Sequence, residues 1–327
     1  MITEADFERA AGVLEGLQQA IFSVIVGHEH VVRAALIGLL CDGNVLLEGI
    51  PGLGKTLLVR SLATALGLKF SRIQFTPDLM PADIVGTDII TETDGHRTFS
   101  FAPGPMFAQV VLADEVNRAT PKTQSALLEA MEERTVTVGT TTYPLDEPFL
   151  VLATQNPIEM EGTYPLPEAQ VDRFLLKAVV RYPSLDELVT IAERNTEGDG
   201  IILPQPVATA EDILLARRVA RGIPIGAELR RYIARLVLAT HPAHPNAPAS
   251  VRDFVEYGAS PRGAVALIKA AKAQAFLMGQ ASVRRADIEA VFTEALQHRI
   301  ILNFRGEAEG IGVAGLLEDV WRATDIA

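Results

Sequence analysis

A single cysteine, Cys41, leaves no internal disulfide to staple the chain, so the fold must rest on buried apolar surface. It closes the apolar helical run Val31 to Leu40, where a packed helix end is the expected use of a lone thiol. No stretch approaches the roughly 18 unbroken apolar residues of a helical membrane span. The start, Met1-Ile2-Thr3-Glu4-Ala5-Asp6, lacks the basic opening of a secretory signal, which makes the cytoplasm the expected location. Positive charge is also scarce: 29 Lys and Arg against 41 Asp and Glu give a net −12. Residues 1–183 hold 13 basic and 23 acidic side chains, residues 184–327 hold 16 and 18, and so acidic a first part argues against a general nucleic-acid binder. Metal-ligand patterns are missing too, because His28/His30 and His241/His244 have no cysteine or carboxylate partners at ligand spacing.

What is present is ample apolar content, 48% over 327 residues, enough for two domains. The first, 1–183, alternates short apolar strands with helical periodicity, the pattern of an α/β fold with a buried parallel sheet. Beyond Tyr182-Pro183 a loop carrying Gly198, Gly200, Pro204 and Pro206 leads into a second domain, 184–327, expected to be all-helical. Two insertions read as β-hairpins. One spans Val85 to Phe101 around the turn pair Asp94-Gly95, the other roughly Thr135 to Leu145. The first is expected to be too short and isolated to contribute to a core.

The strongest chemical signal is the apolar strand Val45-Leu46-Leu47 running into Gly49-x-x-x-x-Gly54-Lys55-Thr56, a phosphate-binding loop. A backbone that wraps a polyphosphate needs positive φ and no Cβ in the way, which Gly49, Gly52 and Gly54 supply around Pro51 and Leu53. The following helix, with Leu57 in its first turn, adds its positive end. Lys55 is expected on the β- and γ-phosphates of ATP or GTP, and Thr56 on Mg²⁺. A second apolar strand, Val110 to Ala113, ends in Asp114-Glu115: Asp114 is expected in the metal shell, and Glu115 as the general base that polarises water. A third, Phe149 to Ala153, ends at Thr154-Gln155-Asn156.

With these runs, the chain resembles the AAA+ ATPases and, within them, the MoxR family. The likeness is carried by Gly49 to Thr56, by Asp114 to Ala119 continuing to Ala126 to Arg134, and by Ala153 to Pro157. It extends through Glu161 to Phe174 and Ser260-Pro261-Arg262-Gly263-Ala264, almost the whole chain. The resemblance implies a P-loop core, a parallel sheet sandwiched by helices with β-hairpin inserts, and a helical lid. It implies that Asn156 is sensor 1, Arg173 the arginine finger with Arg118 and Arg134 as rivals, and Arg262 sensor 2, while Val26-Gly27 lines the adenine. It also implies a homo-oligomer, normally a hexameric ring, that remodels a client protein with a separate partner carrying a von Willebrand factor A (VWA) domain. A slow nucleotide-gated switch is the alternative. A nucleic-acid motor is disfavoured by the charge and by a first hairpin whose only cation is Arg97.

Overall fold

The computed structural model describes residues 2–93, 96–157, 163–196 and 202–324. Two helices, α1 (Glu4–Phe22) and α2 (Glu29–Leu40), precede strand β1 (Val45–Glu48) and helix α3 (Lys55–Ala65). Strand β2 (Phe70–Gln74) and the short α4 (Pro81–Val85) lead into the first hairpin, β3 (Gly86–Thr93) and β4 (His96–Pro103). Then come β5 (Val110–Asp114), α5 (Pro121–Glu133), the second hairpin β6 (Thr135–Val138) and β7 (Thr141–Pro144), and β8 (Leu150–Gln155). The turn of α6 (Glu168–Val171) precedes β9 (Leu176–Val179). Beyond it lie α7 (Leu185–Thr196), α8 (Ala210–Gly222), α9 (Ala227–Ala239), α10 (Ala249–Phe254), β10 (Val255–Tyr257), α11 (Pro261–Leu277) and α12 (Arg285–Leu296). Strand β11 (Ile301–Leu302), α13 (Phe304–Ala308) and α14 (Val313–Ala323) close the described chain.

The five central strands are parallel in the order β2-β5-β8-β1-β9. Both faces are covered, so the three inner strands β5, β8 and β1 are apolar up to their C-terminal ends: Val45 and Leu47 point into one cluster with α1, α2 and α3, while Leu46 points into the other with α5. The first cluster continues without a break through α8, α9, α11 and α12. The sheet, not residue 183, therefore divides the two apolar clusters.

Two expectations need correcting. The C-terminal part is helical, but it also contains a small antiparallel pair, Val255–Tyr257 with Ile301–Leu302. The first hairpin is neither short nor isolated: its strands are eight residues each, and at its base Phe101 stacks on Tyr143 of the second hairpin at 4.1 Å. The turn pair Asp94-Gly95 lies outside the described residues. Among the described residues no helix is long and apolar enough to cross a membrane, and no three His, Cys, Asp or Glu side chains are grouped to hold a metal ion.

One buried arginine ties the helical part to the sheet. The Arg299 side chain is 3% exposed and donates from Nε to Asp172 Oδ1 at 2.8 Å. Its remaining donors go to the Asp172 carbonyl at 3.0 Å, Phe174 at 2.7 Å, Leu175 at 3.3 Å, and the Ala295 carbonyl. Burial lowers its pKa, and the Asp172 carboxylate opposes that shift. Arg299→Ala would strand the carbonyls and take from the Asp172 carboxylate its nearest ion partner, a change that costs about 3–5 kcal/mol. Urea unfolding should show that loss, and an unchanged midpoint would refute the tie.

Candidate active site

Three neighbouring strands deliver the chemistry to one edge. Because β5, β8 and β1 are parallel and adjacent, Asp114-Glu115, Gln155-Asn156 and the Gly49 loop all emerge at their C-terminal ends. Gly49 donates its N–H to the Gln155 carbonyl at 3.1 Å. A Cβ at Gly49 would come within 2.8 Å of the Val180 side chain, so close approach is what requires glycine there. Gly52 and Gly54 instead need their backbone freedom, with φ of 86° and 74°. Pro51 and Gly52 are exposed and Leu53 is buried, which anchors the loop.

Gly54 caps α3 without a side-chain hydrogen bond, so no side chain of the cap competes for the first amides of that helix. Thr56 and Leu57 follow in its first turn, half-buried. Lys55 donates from Nζ to the Gly49 carbonyl at 2.6 Å. Burial lowers its pKa, with the Asp114 and Glu115 carboxylates acting in the opposite direction.

The acidic pair is held by residues that nothing in the sequence marks for that role. Asp114 accepts from Thr154 Oγ1 at 2.6 Å and from Arg72 Nη2 at 2.7 Å. Thr154 also accepts from the Glu115 N–H at 2.8 Å, so one hydroxyl on β8 fixes both acids. Glu115 itself is left-handed, φ 57° and ψ 49°, a conformation that costs a non-glycine residue energy and turns the side chain off the strand end. Its Oε2 accepts from Gln74 Nε2 at 2.9 Å and from Arg118 Nη1 at 2.9 Å. Asn156 is buried beside them, its carbonyl accepting from Asn117 Nδ2 at 3.3 Å.

Next to the loop lies a cavity of about 380 Å³, the size of a nucleoside site. Val26, Leu53 and Leu57 line one side of it; Leu188 and Ile191 of α7, with Tyr182, line the other. Gly27 sits at φ 69°, where a Cβ would come within 2.6 Å of Glu187 Oε1. Arg194 pins α7 down by donating to the carbonyls of Ser23 and Val24 at 3.2 Å.

Residues 44–176 match the family described as "ATPase family associated with various cellular activities (AAA)", and residues 248–320 match the AAA lid domain. The chain is 44% identical to the protein named Chaperone MoxR1 of Mycobacterium tuberculosis, over 93% of this chain and 80% of that one. It belongs to the MoxR family of AAA+ ATPases. It is also 34% identical to the Protein MoxR of Paracoccus denitrificans, over 88% of each chain. A crystal structure from Cytophaga hutchinsonii, described provisionally as an ATPase, superposes with a TM-score of 0.93 at 42% identity, covering 99% of this chain and 98% of that one.

Two arginines of this MoxR-family chain lie elsewhere. Arg173 precedes β9 and Arg262 opens α11, where Ser260 Oγ accepts from the Arg262 N–H at 3.2 Å and Pro261 fills the first turn. Both line a cleft of about 530 Å³ with Gly43 and Asn44, which precede β1. That is the N-terminal edge of the sheet, opposite the phosphate loop and separated from it by a strand length, about 13 Å. The rival arginines have local partners. Arg134 is half-buried over the Phe149 ring at 5.0 Å and donates to the Asp42 carbonyl at 2.9 Å, and Arg118 bonds Glu115 of its own chain.

Proposed function

We propose that this chain is a cytoplasmic, Mg²⁺-dependent ATP hydrolase that works as a head-to-tail homo-oligomer, normally a hexameric ring, and remodels client proteins with a VWA-domain partner. The observation that carries the reading is the polarity of the sheet. Lys55, Thr56, Asp114, Glu115 and Asn156 share one edge, while Arg173 and Arg262 stand together on the other. A second copy must then bring its arginines to the first copy's nucleotide, which makes the interface heterologous and ring-forming.

Thr56 and Asp114 suit Mg²⁺ because both offer hard oxygen donors, and Mg²⁺ takes one or two such groups beside the phosphates and its waters. The metal would supply charge neutralisation at the β- and γ-phosphates. Asp114 is held for that task by Thr154 and Arg72. Lys55 binds phosphate, Glu115 takes the proton of the attacking water, and Asn156 orients that water. Val26, Gly27, Leu53 and Leu57 enclose the base. The carriers of the remodelling step are the first hairpin and the helical part. Ile90 and Phe99 stand opposite each other in the hairpin and are 62% and 78% exposed, suited to contact an unfolded segment.

One observation favours a slow, nucleotide-gated switch as second reading: Glu115 is already bonded to both Gln74 and Arg118. Single-turnover rates with and without a VWA-domain protein separate the two, because a switch stays slow in both. The primary test is steady-state ATP hydrolysis against chain concentration, with specific activity rising as rings form. Lys55→Ala should weaken ATP binding about 10- to 100-fold, the value of a charged hydrogen-bonding partner, as read by a fluorescent nucleotide titration. Unaltered affinity would remove the loop from the site.

A further inference from the structure

Glu132 stands one residue before the end of α5, and its carboxylate reaches two arginines from two different segments. Arg173 Nη1 donates to Oε2 at 2.6 Å, and Arg262 Nη2 lies 3.6 Å from Oε1. We propose that Glu132 is an exchangeable counter-ion in the inter-subunit half of the active site: its carboxylate stands where a neighbour's terminal phosphate would bind, pairs Arg173 and Arg262 there, and yields them when that phosphate arrives. This rests on the reading that both arginines act on a neighbouring nucleotide.

The neighbouring groups make Glu132 the exchangeable partner. The other carboxylate of the cluster, Asp172, lies 4.0 Å from Arg262 Nη1 but is committed to Arg299 Nε at 2.8 Å and Ser260 Oγ at 3.2 Å. Asp172 is 20% exposed and Glu132 39%. The described lining of the cleft sets five cations, Arg134, Arg173, Arg262, Lys269 and Arg299, against three carboxylates, Asp42, Glu132 and Asp172, so the cleft carries surplus positive charge. A carboxylate presents two oxygens to two guanidiniums much as a phosphoryl group does, but with less charge. An exposed ion pair of this kind is weak, and a phosphate can displace it. Glu132 therefore keeps the arginines paired until nucleotide is presented, at a modest cost in rate.

The test is turnover of Glu132→Gln in the assembled ring. The amide keeps the shape and loses the charge, so kcat should rise about two- to five-fold, the factor corresponding to a weak exposed ion pair, with KM for ATP unchanged. The gain must vanish in the Glu132→Gln, Arg173→Ala double variant, which a merely structural role of Glu132 would not require. Turnover of Glu132→Gln at or below the wild-type value, with Arg173→Ala inactive, overturns the proposal alone. A fully active Arg173→Ala overturns the reading of the arginines and the proposal with it.

Discussion

Arg173→Ala is expected to bind ATP as well as the parent chain and to lose about 10³- to 10⁵-fold in turnover, the range for an arginine that offsets charge on a transferring phosphoryl group. Affinity survives because Arg173 is on the far edge of its own sheet and touches Glu132, not the phosphate loop of its own chain. Turnover falls because the missing charge acts only in the transition state. Complementation decides whether it acts between chains. Mixed with Lys55→Ala, the variant should regain activity, since some interfaces then pair an intact Arg173 with an intact loop. Co-assembled mixed rings that stay inactive would move the finger role to Arg262, or place the whole reaction within one chain. Arg134 is a poor substitute, being spent on Asp42 and the Phe149 ring. Arg118 lies at the Glu115 end and serves its own chain.

The parts of this site that the sequence displays are the local ones. The candidate phosphate loop is eight consecutive residues in which Gly52 and Gly54 are there for backbone reasons, and their φ values of 86° and 74° follow that logic. Asp114, Glu115 and Asn156 are legible because apolar strands of a parallel sheet end on a common edge, which needs no knowledge of strand order. Everything that depends on distant pairing was hidden. Gln74 and Arg72 meet the acids only because β2 lies beside β5, and a polar residue at a strand end carries no mark of its partner. The far wall of the cavity beside the loop comes from α7, with Leu188 and Ile191 more than 130 residues after the loop they face, and these two look in sequence like any amphipathic face. Arg299 reads as one more cation in a helical stretch until the lid closes on β9. Strands β10 and β11, three and two residues long, are too brief to show a period of two. The hairpin base is illegible for a similar reason, since the stack of Phe101 on Tyr143 joins two inserts that are separate in sequence.

Glu115→Gln should leave ATP affinity intact and lower turnover by about 10²- to 10⁴-fold, the contribution of a positioned general base. The substitution preserves the surroundings: the Glu115 N–H still reaches Thr154 Oγ1, and an amide oxygen still accepts from Gln74 and Arg118. The left-handed backbone at this position is unaffected by the exchange of one oxygen for nitrogen. What disappears is the ability to take a proton from water. The resulting chain should accumulate in the ATP-bound state, the opposite of Lys55→Ala, in which binding itself is weakened. Quench-flow measurement of bound nucleotide distinguishes them: Glu115→Gln should show tight ATP and no product burst, Lys55→Ala no tight ATP. If Glu115→Gln hydrolysed ATP at the parent rate, Glu115 would be only an anchor for Gln74 and Arg118, and the base would have to be sought elsewhere on the same strand edge.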